Sequence, residues 1–190
     1  LIQPTLGSSL AQRLRAETAE AHARLESATG FDIHRPDAAS AVQMLEDFYL
    51  VLRHAEPTIF SLLPKRLAER ARLAQLQADL HELGRQTGTV LRPTEIWLPS
   101  TETQALGALY VLEGSTLGGK IISKALRQML DWPLRGTSYF DPYGSRTGAM
   151  WASFQLELSG VPDDRWNEVI EGANKMFAVL EGAMTREPAC

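Results

Sequence analysis

The sequence predicts an all-α protein. Three observations carry that prediction. Helix-capping residues recur along the chain, apolar residues repeat at helical spacing between them, and the paired-turn signals of hairpins are scarce. No repeat, low-complexity tract or long linker interrupts the pattern, so one domain spanning residues 1–190 is expected.

Ser9 followed by Gln12 reads as a capping box, and Leu10, Leu14, Ala21, Leu25 and Ala28 then form one apolar stripe that Gly30 is placed to stop. Asp37 can cap a second helix through Val42, Leu45, Tyr49 and Leu52, with Pro57 marking a break or a new start. Between Arg66 and Leu83 the residues Leu67, Ala71, Ala74 and Leu80 recur at helical spacing, and Gly84 ends the run. From Gly84 to Ser100, the residues Gly88, Pro93 and Pro99 mark a loop. Thr101 and Gln104 open a helix through Leu106, Leu109 and Leu112; it meets Gly114, Gly118 and Gly119 and resumes through Ile121, Ala125 and Met129. A second loop, rich in Gly, Pro and Tyr, runs from Asp131 to about Arg146. Trp151, Phe154 and Leu158 mark a helix ended by Gly160. Pro162 stands where a last helix, carrying Trp166, Ile170, Phe177 and Leu180, would take its first residue.

Composition narrows the functional classes. The chain is 44% hydrophobic with a net charge of −4, so it has core enough to fold and no bulk attraction for nucleic acid or an anionic membrane surface. Its single cysteine, Cys190, rules out an internal disulfide and fits a cytoplasmic address. The first residues lack the basic start and long apolar run of a signal peptide. The apolar stretch from Ala105 to Ile122 is broken by Glu113, Ser115, Thr116 and Lys120, so no membrane span is expected.

The glycines are the least expected feature. A glycine inside a helix costs about 1 kcal/mol relative to alanine, so Gly114, Gly118 and Gly119 together cost roughly 3 kcal/mol. Gly114 and Gly118 lie four apart and therefore share a face, where absent Cβ atoms let another body approach the backbone. A flat ligand such as a porphyrin is one such body. Close packing against a second helix is the other reading, and the glycines alone do not choose between them.

Four histidines compete as base or ligand: His22, His34, His54 and His81. None forms an HxxxH or ExxH pair and there is no CxxC, so a helix-borne zinc or di-iron site gains no support. A haem needs only one protein ligand. His22 stands at the edge of the first apolar stripe, which equally suits a structural histidine. Arg15 precedes it by seven residues, almost two turns, so both project from one side about 10 Å apart along the axis. That spacing suits a dianionic haem with its iron on His22; a solvated helix arginine is the plain alternative.

Three blocks give the sequence a wider likeness: LRAETAEAHARLES around His22, ALGALYVLEGSTLGGKIISKAL across the glycines, and YGSRTGAMWASF before Trp151 and Phe154. In these the chain resembles the haem oxygenase family, particularly its bacterial members, over about Leu14 to Met184. The resemblance implies a single-domain helical bundle with haem sandwiched between a proximal and a kinked distal helix. His22 matches the proximal iron ligand, while Gly114 and Gly118, with Gly119 beside them, match the distal helix over the haem. Arg15 matches a propionate-contacting basic position, and Tyr110 falls where some bacterial members place a propionate-binding tyrosine. Lys175 and Arg146 are further candidates for the propionates. Ser115 stands where mammalian members carry an aspartate that orders water near bound oxygen.

The reaction implied is oxidative opening of haem to biliverdin with release of carbon monoxide and ferrous iron, haem being both cofactor and substrate. Gly114, Ser115 and Gly118 would form the distal catalytic surface, working through ordered water rather than a side-chain acid. The chain has no flavin, nucleotide or iron–sulfur motif, so a ferredoxin, flavodoxin or reductase is expected to supply electrons. The alternative is a haem-binding carrier or sensor on the same scaffold that does not degrade haem.

Overall fold

Ser9 begins the first helix as its sequence suggests. Its hydroxyl accepts from Gln12 N at 3.3 Å and the Gln12 side chain accepts from Ser9 N at 2.8 Å, closing the capping box over α1 (Leu10–Glu17). The computed structural model describes residues 9–87, 96–129, 132 and 136–185, all of its regular elements being helical. Gly88, Pro93 and Cys190 lie outside these residues.

The single helix expected up to Gly30 is divided. Thr18, with φ −110° and ψ 0°, separates α1 from α2 (Ala19–Ala28). Its hydroxyl donates back to Leu14 O at 2.7 Å, a bond that competes with regular helix and bends it. The threonine is buried, so the bend is held by packing rather than solvent. Gly30 ends α2 in the left-handed region, φ +61°, as expected of a stop glycine.

Asp37 caps α3 (Ala38–Leu62), accepting from Ser40 N at 2.8 Å. The helix runs through Pro57, where the sequence suggests a break. Pro57 forfeits the bond to the Arg53 carbonyl. Burial of Ala55, Glu56 and Ile59 on either side offsets that loss and keeps the rod whole.

The run expected from Arg66 to Leu83 is also divided, into a 3-10 turn (Lys65–Arg70) and α4 (Leu73–Glu82), with Ala71 extended between them at φ −64° and ψ 134°. Glu56 causes the restart: its carboxylate reaches from α3 to accept from Arg72 N at 2.9 Å and Leu73 N at 2.8 Å, capping α4 from another helix. Gly84 then ends α4 at φ +71°.

Thr101 caps α5 (Glu102–Leu126), accepting from Gln104 N at 3.2 Å, and the Gln104 side chain turns to Ser100 N. This helix passes through Gly114, Gly118 and Gly119 as one element. A 3-10 turn (Gly144–Arg146) leads into α6 (Thr147–Ser159), and Gly160 follows it. Pro162 begins not the last helix itself but a 3-10 turn (Asp163–Arg165) in front of α7 (Trp166–Met184).

The core lies between α3, α5 and α7, filled by side chains such as Leu45, Leu52, Leu109, Leu112 and Met176. Two glycines set the α5–α7 crossing. A Cβ on Gly107 would lie 2.0 Å from Val169 O, and one on Gly172 would lie 2.4 Å from Gln104 O. Only bare backbone permits that approach. The close-packing role considered for glycine therefore exists in this protein, at positions other than Gly114 and Gly118. Among the described residues, no helix is long and apolar enough to cross a membrane.

Candidate functional site

The bend at Thr18 brings α1 and α2 across from the glycine face of α5, and a cavity of about 700 Å³ opens between them. That size is within the range of small-molecule and cofactor sites. His22 and Arg15 stand on one wall, Tyr110, Gly114, Ser115 and Gly118 on the other. Of the four histidines only His22 lines the cavity. His54 instead accepts from Arg53 Nε at 2.8 Å, His34 sits in the turn before α3, and His81 lies on the surface of α4.

His22 is 56% exposed, so its ring is not a packed core group. Its Nδ1 lies 3.6 Å from Glu26 Oε2, one turn on, and its ring meets Phe177 of α7 edge-on with centroids 5.9 Å apart. Both neighbours lie beside the ring, which makes no hydrogen bond within 3.5 Å to either. Neither neighbour is evident from the sequence: Glu26 looks like a solvated helix acid and Phe177 like core.

The three glycines of α5 have separate tasks. A Cβ on Gly118 would meet no heavy atom within 4 Å, and one on Gly114 would meet only the Trp151 ring, at 3.9 Å. Both open onto the cavity. Gly119 also borders it, but the space of its missing Cβ is taken by the Phe140 carbonyl, 2.3 Å away. Its bareness admits a loop rather than a ligand.

At the rim, Arg15 makes no ion pair with a described residue, whereas Arg13 pairs with Glu17 and Arg24 with Glu20 and Glu181. Tyr110 packs against Trp151 with ring centroids 5.7 Å apart. Burial pushes its phenol above the ordinary range, and the Thr18 hydroxyl and Arg15 charge draw it back. Arg15, Thr18 and Tyr110 thus meet at one edge. Lys175 does not join them: it pairs with Glu171 at 2.6 Å and lies over the Trp97 ring. Arg146, at the start of α6, does not line the cavity either.

Behind α5, a buried polar cluster grips the turn that carries Gly114. The break at Ala71 aims Arg70 and Arg72, two residues apart along extended chain, to the same side. Arg70 pairs with Glu113, which also accepts from the Tyr143 hydroxyl at 2.7 Å. Arg72 donates to Leu112 O and approaches Ser115 Oγ at 3.5 Å, while Ser115 donates to Leu112 O at 2.7 Å. The Ser115 hydroxyl is therefore already engaged by protein. Sequence periodicity reads this segment as one continuous helix and cannot reveal inward-facing arginines.

An all-helical fold thus sets a histidine on one wall of a cavity against bare helix backbone on the other. The Heme oxygenase family model matches residues 8–186, and the chain belongs to that family. It is 31% identical over 177 residues to heme oxygenase PigA of Pseudomonas aeruginosa, covering 87% of this chain and 86% of that one. It is 32% identical over 120 residues to a heme oxygenase of Xanthomonas campestris pv. campestris, covering 62% and 70%. The fold is similar to that of the Neisseria meningitidis heme oxygenase solved with NO and CO bound, with TM-score 0.72, 22% identity and 94% and 91% of the two chains covered. It is also similar to Leptospira interrogans heme oxygenase, with TM-score 0.68, 20% identity and coverage of 94% and 99%.

Proposed function

We propose that this chain cleaves haem oxidatively to biliverdin, carbon monoxide and ferrous iron, binding it between His22 and the Gly114–Gly118 face. The observation that carries the reading is the pairing of a single cavity-lining histidine with two glycines whose absent side chains leave the facing wall open. Family membership supplies the reaction class. Haem, when bound, supplies the iron that activates oxygen.

The protein's own groups do the rest. His22 is the one histidine that lines the cavity and would be the iron's ligand. Glu26 stands one turn on, beside its ring. Arg15 and Tyr110 hold the propionates at the rim. The bare backbone of Gly114 and Gly118 limits the space above the macrocycle to small molecules. Ser115, occupied by Leu112 O and Arg72, shapes the water near that face and does not itself supply the proton. Electrons come from a separate ferredoxin, flavodoxin or reductase, and a cytoplasmic location suits that supply. The whole chain would work as one domain.

The test is a haemin titration followed by turnover. Haem should bind with a histidine-type spectrum, and reductant in air should convert that spectrum to biliverdin. Stable haem without conversion would identify a carrier or sensor; no binding would exclude both.

A further inference from the structure

Glu113 immediately precedes Gly114 and has only 1% of its side chain exposed, and its partner Arg70 has 2%. Burying two charges costs several kcal/mol each, and a pair of this kind is often no more stable than well-packed apolar residues in its place. The pair ties α5 to α6 behind the Gly114 wall of the cavity. Arg70 Nη1 also donates to Met150 O at 3.2 Å, and its guanidinium lies over the Phe154 ring, so it is anchored to α6. Met150 immediately precedes Trp151, the residue 3.9 Å from where a Gly114 side chain would begin. Tyr143 completes the link by bonding Glu113 from the loop that leads into α6. The chain of contacts runs Gly114–Glu113–Arg70–Met150–Trp151, with Tyr143 locking its centre.

We propose that the buried Arg70–Glu113–Tyr143 triad is a positioning device that sets the gap between Gly114 on α5 and Trp151 on α6, and thereby which edge of the haem is attacked. None of the three lines the cavity. Trp151 packs on Tyr110, so a shift in the gap also moves the propionate anchor and turns the macrocycle in its plane. This rests on the reading that haem lies between His22 and the glycine face.

The experiment compares Tyr143→Phe and the double variant Arg70→Met with Glu113→Leu. The double variant replaces the pair by apolar groups of similar bulk but leaves the Tyr143 hydroxyl without its acceptor, so its urea midpoint is expected to fall modestly while the protein stays folded. Amide hydrogen exchange of haem-free protein and the proportions of biliverdin isomers are then measured for both. Amides in residues 114–119 should exchange about tenfold faster while α2 and α7 keep their rates, and the isomer proportions should change. Unaltered isomers, or exchange that rises equally in every helix, would overturn the proposal and leave the triad a stabilising contact only. If the double variant fails to fold, Tyr143→Phe decides alone, since it removes one hydroxyl. Whether haem sits where it is placed is settled separately: in the unaltered protein, added haem must protect residues 114–119 and the segment around His22.

Discussion

Gly118 and Gly119 are neighbours in the chain with opposite surroundings: a Cβ on the first would meet nothing within 4 Å, and on the second it would lie 2.3 Å from the Phe140 carbonyl. One glycine is bare for a ligand and the other for a loop. Gly118→Ala should stabilise the haem-free protein by up to about 1 kcal/mol through helix propensity. Gly119→Ala should destabilise it by about 1–3 kcal/mol or more, because backbone must move to admit the methyl. Gly118→Leu should stay folded yet bind or turn over haem poorly. Urea unfolding of the haem-free proteins and a haem titration check all three. Equal effects at the two positions would refute the division.

His22→Ala should remove the axial ligand and leave the fold intact, since the ring is half exposed and alanine favours helix. The haem spectrum should lose its histidine character and recover partly with added imidazole. Retention of the native spectrum in His22→Ala, with loss in His54→Ala or His81→Ala, would reassign the ligand.

Arg15 and Tyr110 approach the same rim, one charged and one neutral. A charge-assisted bond is worth about 1.5–3 kcal/mol before its exposure is discounted, and a neutral one about 0.5–1.5 kcal/mol. Arg15→Ala combined with Tyr110→Phe should weaken haem binding and mix the biliverdin isomers, because an axial bond fixes the iron and not the rotation of the ring. Chromatography of the products beside a haem titration measures both. A single isomer at unaltered affinity would mean that other groups hold the propionates.

Ser115→Ala should keep most of its biliverdin formation. The hydroxyl is committed to Leu112 O, and water can occupy the space it leaves. A near-complete loss of turnover at unchanged haem affinity would make the hydroxyl an obligatory member of the proton route.

Acid should weaken the junction between α5 and α7. Bonds from Thr101, Thr103 and Arg165 hold the Glu168 carboxyl down at about 2, against an ordinary value of 4.5. A depressed folded-state value stabilises fully above pH 4.5, and that stabilisation disappears as pH falls towards 2. Glu168→Gln should therefore be less stable than the unaltered protein at neutral pH, with the difference shrinking between pH 4.5 and 2 in urea titrations. A constant difference across that range would show that the carboxylate charge is not what matters.

Local signals were legible wherever they act within a few residues. Ser9, Asp37 and Thr101 cap helices, and Gly30 and Gly84 stop them, because capping and left-handed backbone depend on the residue and its immediate neighbours. The all-helical class follows from those signals together with the apolar spacing. The His22 and Gly114–Gly118 pattern was visible too, as one motif on each of two helices.

Long-range placement was decided by packing. Pro57 continues a helix because buried neighbours on both sides outweigh one lost bond, while Ala71, an excellent helix former, interrupts one because Glu56 and Glu113 draw the backbone and side chains around it inward. Gly107 and Gly172 admit carbonyls from opposite helices, a demand that neither local stretch announces. Arg15 rather than Lys175 or Arg146 reaches the cavity because the bend at Thr18 turns α1 towards α5, while Lys175 is held by Glu171 and Trp97. The sequence by itself determined the helical class, the Ser9, Asp37 and Thr101 caps and the His22 and glycine motifs. Only the tertiary structure decided which glycine opens onto the cavity, which meets backbone, and which of the candidate cations lines the cavity, because those depend on groups brought together from distant parts of the chain.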